Sequence, residues 1–159
     1  MGKEKTTSLT ISQWHEYAKG GTKLPMRIPI NGISMFPLIR RNRDMVTIVP
    51  VDKVPDVGDI VLFSDPKARE RYVLHRLWSM KGSLALTWGD NCVRPDAWIS
   101  TECIWGKAVL IERGNRQVHP IPRRGMIMAR IWHPIVRIRY FCYRILSKVW
   151  HWVKSVMKR

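Results

Sequence analysis

The chain has no acidic residue after Glu112, and this absence is the strongest asymmetry in its sequence. Residues 113–159 contain twelve Lys and Arg and no Asp or Glu, which gives a net charge of +12. Residues 1–112 contain sixteen basic and twelve acidic residues, a net charge of +4. A change of charge on this scale marks a boundary along a chain. We therefore expect an ordinary folded domain followed by a segment suited to an anionic surface.

Cysteine is also scarce, and Cys92, Cys103 and Cys142 show no CxxC spacing. This argues against a disulfide framework or a zinc site and favours a reducing compartment. The first residues lack the apolar segment of a secretory signal peptide. No run of 18 uncharged apolar residues occurs, so we expect no ordinary transmembrane helix and, away from any membrane surface, a cytoplasmic location.

Short runs of β-branched and apolar residues, separated by Gly, Pro and Asp, indicate an all-β organisation. The runs predict strands at residues 26–30, 45–51, 59–63, 71–78, 84–88 and 104–111. Before them, Thr10 or Ser12 is a suitable cap for a short helix that Gly20 and Gly21 end. We predict a mainly β domain of barrel or sandwich type over residues 25–118, preceded by a tail and short helix in residues 1–24.

After a proline-broken hinge at residues 119–125, the pattern becomes that of an amphipathic helix over residues 126–159. Apolar residues recur there at alternating steps of four and three, which indicates one apolar stripe. The stripe consists of Ile131, Ile135, Ile138, Cys142, Ile145, Val149, Trp152 and Val156. Three interpretations are open for this helix: packing on the β domain, binding to nucleic acid, or lying on a membrane.

Aromatic residues beside the stripe favour the membrane interpretation for residues 126–159. Basic residues alone would serve to bind nucleic-acid phosphate, whereas apolar and aromatic area next to arginine suits an anionic bilayer interface. Basic residues also interrupt the middle of the segment, and each would cost roughly 2.5–3.5 kcal/mol at a bilayer centre. We therefore predict an in-plane helix and peripheral membrane association, and we do not expect nucleic acid as the partner.

The stretch from Asn31 to Leu38 combines a serine with residues that constrain the backbone. Gly32 permits a turn that a β-carbon would hinder, and Pro37 limits any helical turn after Ser34. A hydroxyl on a constrained turn at a strand end has few competing rotamers, a property suited to a nucleophile. An ordinary turn in a β domain is the alternative interpretation of the same residues.

A serine nucleophile needs a base to accept its proton. Of the five histidines, His75 alone lies inside a predicted strand of the β domain. Asp90 follows the partner strand of that hairpin, with Asp96 beyond it. A carboxylate bonded to one imidazole nitrogen would fix the tautomer and stabilise the imidazolium. The residues alone leave open which of the two acids does so, or whether both are solvated loop charges.

Five segments, in order over residues 25–112, resemble the conserved boxes of the type I signal peptidase family. They are Gly32-Ile33-Ser34-Met35-Phe36-Pro37, Val57-Gly58-Asp59-Ile60-Val61-Leu62-Phe63, Val73-Leu74-His75-Arg76, Gly89-Asp90-Asn91 with Asp96, and Trp105-Gly106-Lys107-Ala108. Members of this family are largely β-sheet serine endopeptidases that cleave after small residues, and they are related to the self-cleaving SOS repressors. The bacterial branch uses a lysine base, whereas the archaeal and endoplasmic-reticulum branch has histidine at that place. With His75 there, this chain resembles the Ser/His branch.

The resemblance implies that Ser34 is the nucleophile, His75 the general base and Asp96 the supporting acid, with Asp90 as the second candidate. It implies acyl transfer on a peptide or precursor-protein substrate, without a metal or an organic cofactor. The related repressors suggest an alternative function, a non-catalytic or self-cleaving peptidase-fold module that binds nucleic acid or a partner protein.

The sequence departs from the family at three places. The membrane anchor that usually precedes the serine box is not seen. Gly32 occupies a position that is often a serine helping to bind the oxyanion, so backbone N–H groups would have to bind it here. Cys92 occupies a position where many relatives carry a second asparagine. The last two departures are expected to have little effect on the chemistry.

Overall fold

The structure is a computed structural model that describes residues 10–65 and 71–157. Most of the predicted N-terminal tail, and residues 158 and 159 of the predicted C-terminal helix, lie outside the described residues. The described part contains two α-helices and eight strands. These are α1 Ile11–Lys19, β1 Met26–Pro29, β2 Asp44–Pro50, β3 Ile60–Ser64, β4 Tyr72–Lys81, β5 Leu84–Trp88, β6 Trp98–Ser100, β7 Ile104–Arg113, β8 Arg116–Val118 and α2 Pro122–Val156. A short 3-10 helix, Thr101–Cys103, joins β6 to β7.

The eight strands form one antiparallel sheet, in the order β1-β2-β7-β3-β4-β5-β6, with β8 paired to β7. The predicted mainly β class, with a short N-terminal helix and a C-terminal helix, is confirmed. The β3 and β4 strands lie near the middle of the order. The apolar β3 is almost entirely buried, whereas β4 is buried only at His75, Arg76 and Leu77. His75 on β4 therefore lies within the sheet, opposite Val61 on β3.

The main apolar cluster connects α1, the sheet and the stretch that bears Ser34. Trp14 of α1 is 1% exposed, and its indole Nε1 donates a hydrogen bond to the carbonyl of Leu24 at 2.7 Å. Met35 and Ile39 enter the same cluster with 3% and 0% exposure. Burying a large apolar side chain stabilises a fold by about 1.5–3 kcal/mol. The serine-bearing turn is therefore fixed to the core immediately after Ser34 and again five residues beyond it.

The C-terminal helix α2 begins at Pro122, ahead of the start expected at residue 126, and its first half packs on the β domain. Gly58 has φ +103°, and a β-carbon there would come within 2.6 Å of the Pro122 carbonyl. A β-carbon at Gly125 would collide with the guanidinium of Arg76. These close approaches require glycine at both positions. The face of α2 that packs on the domain consists of Met126, Ala129, His133 and Val136, all buried.

The predicted apolar stripe of α2 lies away from the domain. Ile131 is 60% exposed, Ile138 is 64% and Trp152 is 67%. No described residue of α2 after Val136 is buried. Of the three interpretations considered for the stripe, packing against the domain is therefore not what the structure shows. Over the described ranges, none of the helices combines the length and apolar character needed to span a bilayer.

Candidate active site

Ser34 begins a hydrogen-bonded turn that runs to Leu38 and contains no helical residue. The Phe36 N–H donates to the carbonyl of Ile33 at 3.1 Å, and the Ile39 N–H donates to the carbonyl of Met35 at 2.9 Å. The backbone ends this turn at Leu38, as Pro37 predicts. Ser34 itself is half-buried.

Gly32 has a different role from the one expected from the sequence. Its φ lies outside the left-handed region, and a β-carbon there would have only the Ser34 hydroxyl within 4 Å, at 3.9 Å. A side chain at this position would therefore contact the hydroxyl without disturbing the backbone. The turn does not depend on glycine here.

The loop between β5 and β6 forms hydrogen bonds with the serine turn. The backbone N–H of Asn91 donates to the carbonyl of Ser34 at 2.6 Å. Its side-chain Nδ2 donates to the carbonyl of Ile33 at 3.1 Å. Asn91 thus binds two consecutive peptide units of the turn, which fixes the backbone that carries the hydroxyl.

His75 and Asp96 form a short hydrogen-bonded pair next to this turn. The His75 Nδ1 lies 2.6 Å from Asp96 Oδ2, and the imidazole side chain is only 9% exposed. The Thr87 hydroxyl donates to the same carboxylate oxygen at 2.8 Å, and the Asp96 N–H donates to the Thr87 carbonyl at 2.9 Å. A carboxylate that accepts from Nδ1 keeps the proton on that nitrogen and leaves Nε2 as the acceptor. This is the tautomer that a general base needs.

The Nε2 side of His75 faces the serine turn across Gly89. A β-carbon on Gly89 would lie 2.8 Å from His75 Nε2, 2.9 Å from the Ser34 carbonyl and 2.8 Å from the Cys92 sulfur. The absence of a side chain at Gly89 therefore lets these three groups approach one another. Within the described part of the chain, no hydrogen bond joins the Ser34 hydroxyl to His75. Such bonds are often long in ligand-free enzymes and form when substrate is bound.

Two opposing influences set the pKa of His75. Burial lowers it, but the hydrogen bond to Asp96 and the neighbouring Cys92 thiol raise the pKa to about 9. At neutral pH the imidazolium is therefore the main form, and Nε2 becomes an acceptor as the pH rises toward 9. The pKa lies above the ordinary imidazole value of 6.5 because the Asp96 carboxylate favours the charged ring.

Asp90, the second candidate acid, lies in a different environment. Its two oxygens accept from Arg76 Nε at 2.9 Å and from Arg76 Nη2 at 2.7 Å. The Arg76 Nη1 donates to the carbonyl of Gly58 at 2.8 Å. Because both carboxylate oxygens are bound by a buried guanidinium, the geometry assigns the contact with His75 to Asp96 and a structural ion pair to Asp90.

Several residues of the site were not singled out as functional from the sequence. Cys92 was expected to have little effect, yet its sulfur lies near His75 Nε2 and contributes to raising the pKa of the imidazole. Thr87 supports Asp96, and Asn91 binds the serine turn. Each contact joins residues that only the folding of the β5–β6 loop brings together, so no spacing in the sequence indicates it.

A cavity of about 360 Å³ opens between the serine turn, the buried ion pair and α2. Pro37, Leu38, Met128, Ala129 and Trp132 give it an apolar wall. Over residues 10–65 and 71–157, no cluster of three or more His, Cys, Asp or Glu side chains is suited to hold a metal ion. The absence of a cofactor from the chemistry remains a prediction.

Comparison with protein-family models, with curated proteins and with solved structures found no match. The chemistry of the site is therefore argued from its own residues.

Proposed function

We propose that this chain is a serine endopeptidase of the signal-peptidase type, cleaving leader or precursor peptides by acyl transfer. Ser34 is the nucleophile, His75 the general base and Asp96 the residue that orients the base. The observation that carries the proposal is the 2.6 Å bond between His75 Nδ1 and Asp96 Oδ2 beside the Ser34 turn. The pair keeps the proton on Nδ1, so that the neutral ring has Nε2 as its acceptor, on the side where the Ser34 carbonyl lies close to Gly89. A base of this kind is what makes a serine hydroxyl nucleophilic.

The reaction follows from these positions. The neutral Nε2 of His75 accepts the proton of the Ser34 hydroxyl as Oγ attacks the peptide carbonyl. Asp96 stabilises the imidazolium that forms, and backbone N–H groups near the turn bind the oxyanion. His75 then donates the proton to the leaving amine. A water molecule, deprotonated by the same nitrogen, releases the acyl group from Ser34.

A proteolysis assay tests this proposal without knowledge of the natural substrate. The full-length protein is incubated with a library of leader-like peptides in the presence of anionic vesicles, and the products are identified by mass spectrometry. We expect cleavage by the wild type and none by Ser34→Ala. Ser83→Ala is the matched control, since Ser83 is an exposed turn serine far along the chain from the site. Cleavage by Ser34→Ala at the wild-type rate would refute the assignment.

The second part of the proposal is that the outer half of α2, residues 141–156, attaches the enzyme to an anionic membrane surface. The supporting observation is an apolar stripe that remains exposed in the folded chain, with Ile145 46%, Val149 51% and Trp152 67% exposed. Arg144 and Lys154 make cation–π contacts with the exposed rings of Tyr140 and Trp150 on the same helix. An in-plane helix buries the stripe and keeps the cations at headgroup depth, where each gains about 1 kcal/mol from anionic lipid.

Vesicle binding tests the membrane attachment separately from catalysis. Full-length protein should sediment with phosphatidylserine vesicles, less strongly at higher salt, and weakly with neutral vesicles. A chain ending after Tyr140 keeps the packed half of α2 and should stay in solution while cleaving short soluble peptides. Equal binding of this shortened chain and the full chain would show that the outer half is not the anchor.

A non-catalytic or self-cleaving module is the second candidate function. The missing hydrogen bond between the Ser34 hydroxyl and His75 is the observation in its favour. Intact-mass measurement during incubation at pH 9 separates the two functions. Loss of a defined fragment from the chain itself, with no cleavage of added peptides, would support the self-cleaving alternative.

A further inference from the structure

The inner half of α2, residues 122–140, contacts both the end of β5 and the loop that binds the serine turn. The Trp88 ring lies 3.9 Å from the His133 ring, centroid to centroid, and the Arg137 guanidinium lies 5.6 Å from the centre of the same indole. Two residues beyond Arg137, Arg139 Nη2 donates to the Asn91 Oδ1 at 2.7 Å. The helix therefore contacts the last residue of β5 and then Asn91 within the loop.

Asn91 connects α2 to the nucleophile through opposite ends of its side-chain amide. Its Oδ1 accepts from Arg139, and its Nδ2 donates to the Ile33 carbonyl. An amide that turned over would place its oxygen against that carbonyl and its NH₂ against the guanidinium, leaving both without a partner. Arg139 thus determines which way the Asn91 amide points. The Asn91 backbone N–H, bonded to the Ser34 carbonyl, completes the connection.

We propose that Arg139 is a positioning residue for Ser34, acting through Asn91, so that α2 orders the nucleophile in addition to attaching the chain to a surface. This inference rests on the proposed peptidase function. Small displacements of a nucleophile are costly, since about 1 Å of misplacement can lower a rate about a hundredfold. Arg139 hydrogen-bonds Asn91 and not Ser34, so its loss changes the orientation of the turn while leaving the His75–Asp96 pair in place.

Steady-state kinetics on short soluble peptides, without vesicles, test the role of Arg139. Loss of one charge-assisted hydrogen bond predicts that Arg139→Ala lowers kcat about tenfold. KM and the pH at which activity rises should be unchanged, because Arg139 acts on the position of the nucleophile and is bonded to neither His75 nor Asp96. Arg139→Lys retains a cationic donor and should recover part of the loss. Arg130→Ala is the matched control, since it removes the same charge from an exposed position of the same helix.

A double variant tests whether Arg139 acts through Asn91. If it does, Asn91→Ala combined with Arg139→Ala has the same kcat as Asn91→Ala alone. Additive losses in the double variant would overturn the proposed connection, as would wild-type kcat in Arg139→Ala.

Hydrogen exchange separates failure of this inference from failure of the proposed function. The backbone N–H of Asn91 donates to the Ser34 carbonyl. Hydrogen exchange at this backbone N–H should become about tenfold faster in Arg139→Ala than in Arg130→Ala. If the wild type cleaves no peptide but this difference is found, the connection stands and the peptidase proposal fails. If the two variants exchange equally, Arg139 does not position the turn.

Discussion

Asp90 and Asp96 lie on one loop, six residues apart, yet their partners differ in whether they can lose a proton. Asp96 bonds His75 and keeps 30% of its side chain exposed, whereas Asp90 bonds Arg76 and keeps 5%. An arginine does not give up its proton in a protein, so its pair with Asp90 can only hold structure. A histidine can gain and lose its proton, here with a pKa raised to about 9, so its pair with Asp96 is suited to proton transfer.

The strand explains how one loop supplies both pairs. His75 and Arg76 are consecutive on β4, and consecutive side chains on a strand point to opposite faces of the sheet. On each face, the β4 side chain binds one carboxylate of the loop that follows β5: His75 binds Asp96, and Arg76 binds Asp90. On the Arg76 face, Gly125 of α2 covers the guanidinium. On the His75 face, the imidazole Nε2 and the Ser34 carbonyl both lie close to Gly89.

Neutralising Asp96 should have the largest effect on activity. Asp96→Asn is expected to lower kcat about 10,000-fold, as a carboxamide in this position favours the wrong imidazole tautomer. The free energy of unfolding should change much less. Peptide cleavage and denaturant titration measure the two effects, with Asp52→Asn, an exposed acid, as control. A loss of less than tenfold would mean that Asp96 does not orient the base.

Removing Asp90 should produce the opposite result, a loss of stability with the chemistry retained. Asp90→Ala leaves the Arg76 charge buried without its partner, which costs about 3–5 kcal/mol in the free energy of unfolding. Adding Arg76→Met should restore part of that loss, because the unpaired charge is removed as well. Urea titrations measure both variants. If Asp90→Ala is as stable as the wild type but inactive, the two acids have been assigned the wrong way round.

The pH dependence of the reaction sharpens the same comparison. With the pKa of His75 raised to about 9, the rate should increase with pH up to that value, and at pH 7 it should lie about a hundredfold below its plateau. Stability follows the opposite course. Since the folded pKa exceeds the ordinary value of 6.5, the His75–Asp96 pair contributes its full stability below about pH 6.5 and loses it as the pH passes 9.

Variants of the two acids should shift this profile differently. Asp96→Asn removes the main contact that raises the pKa of His75, so its residual activity should rise at lower pH than in the wild type. Asp90→Ala, measured where it is folded, should leave the inflection in place. An inflection near 9 in Asp96→Asn would show that another group titrates.

Thr87→Val should have the smallest effect of the series. The Thr87 hydroxyl is buried and donates to Asp96 Oδ2 at 2.8 Å. Valine has a similar shape but cannot donate, so the carboxylate loses one hydrogen bond and kcat should fall by about tenfold or less. Thr47→Val, on β2, is the control. An unchanged kcat would show that Thr87 is dispensable for orienting Asp96.

Much of the fold follows from local patterns in the sequence. The capping box formed by Thr10 and Gln13, and the β-branched runs that became β2 and β3, are strong local signals. The β6 and β8 strands were not predicted because three residues are too few to display a period of two. The face of α2 that packs on the domain includes Ala129 and His133, so its apolar signal is weaker than that of the exposed stripe.

The site was predictable only in part, because several of its contacts depend on the fold and leave no local pattern in the sequence. A serine on a constrained turn and a histidine within a strand are visible as separate features. Which acid meets His75 depends on the path of the β5–β6 loop and on the face that each strand residue presents, and the residues alone leave Asp90 and Asp96 equivalent. The contact from Arg139 to Asn91 spans 48 positions and depends on how α2 packs, so no local pattern indicates it.

The central claim is that His75 activates Ser34, and labelling with a phosphonofluoridate tests it without any knowledge of the substrate. This reagent is attacked by an activated serine hydroxyl and leaves a stable adduct whose position peptide mass spectrometry can map. We predict a single serine adduct, on Ser34, that forms faster as the pH rises toward 9 and does not form in His75→Gln. An adduct that forms on Ser34 at the same rate in His75→Gln, or no adduct on Ser34 at any pH, would contradict the account.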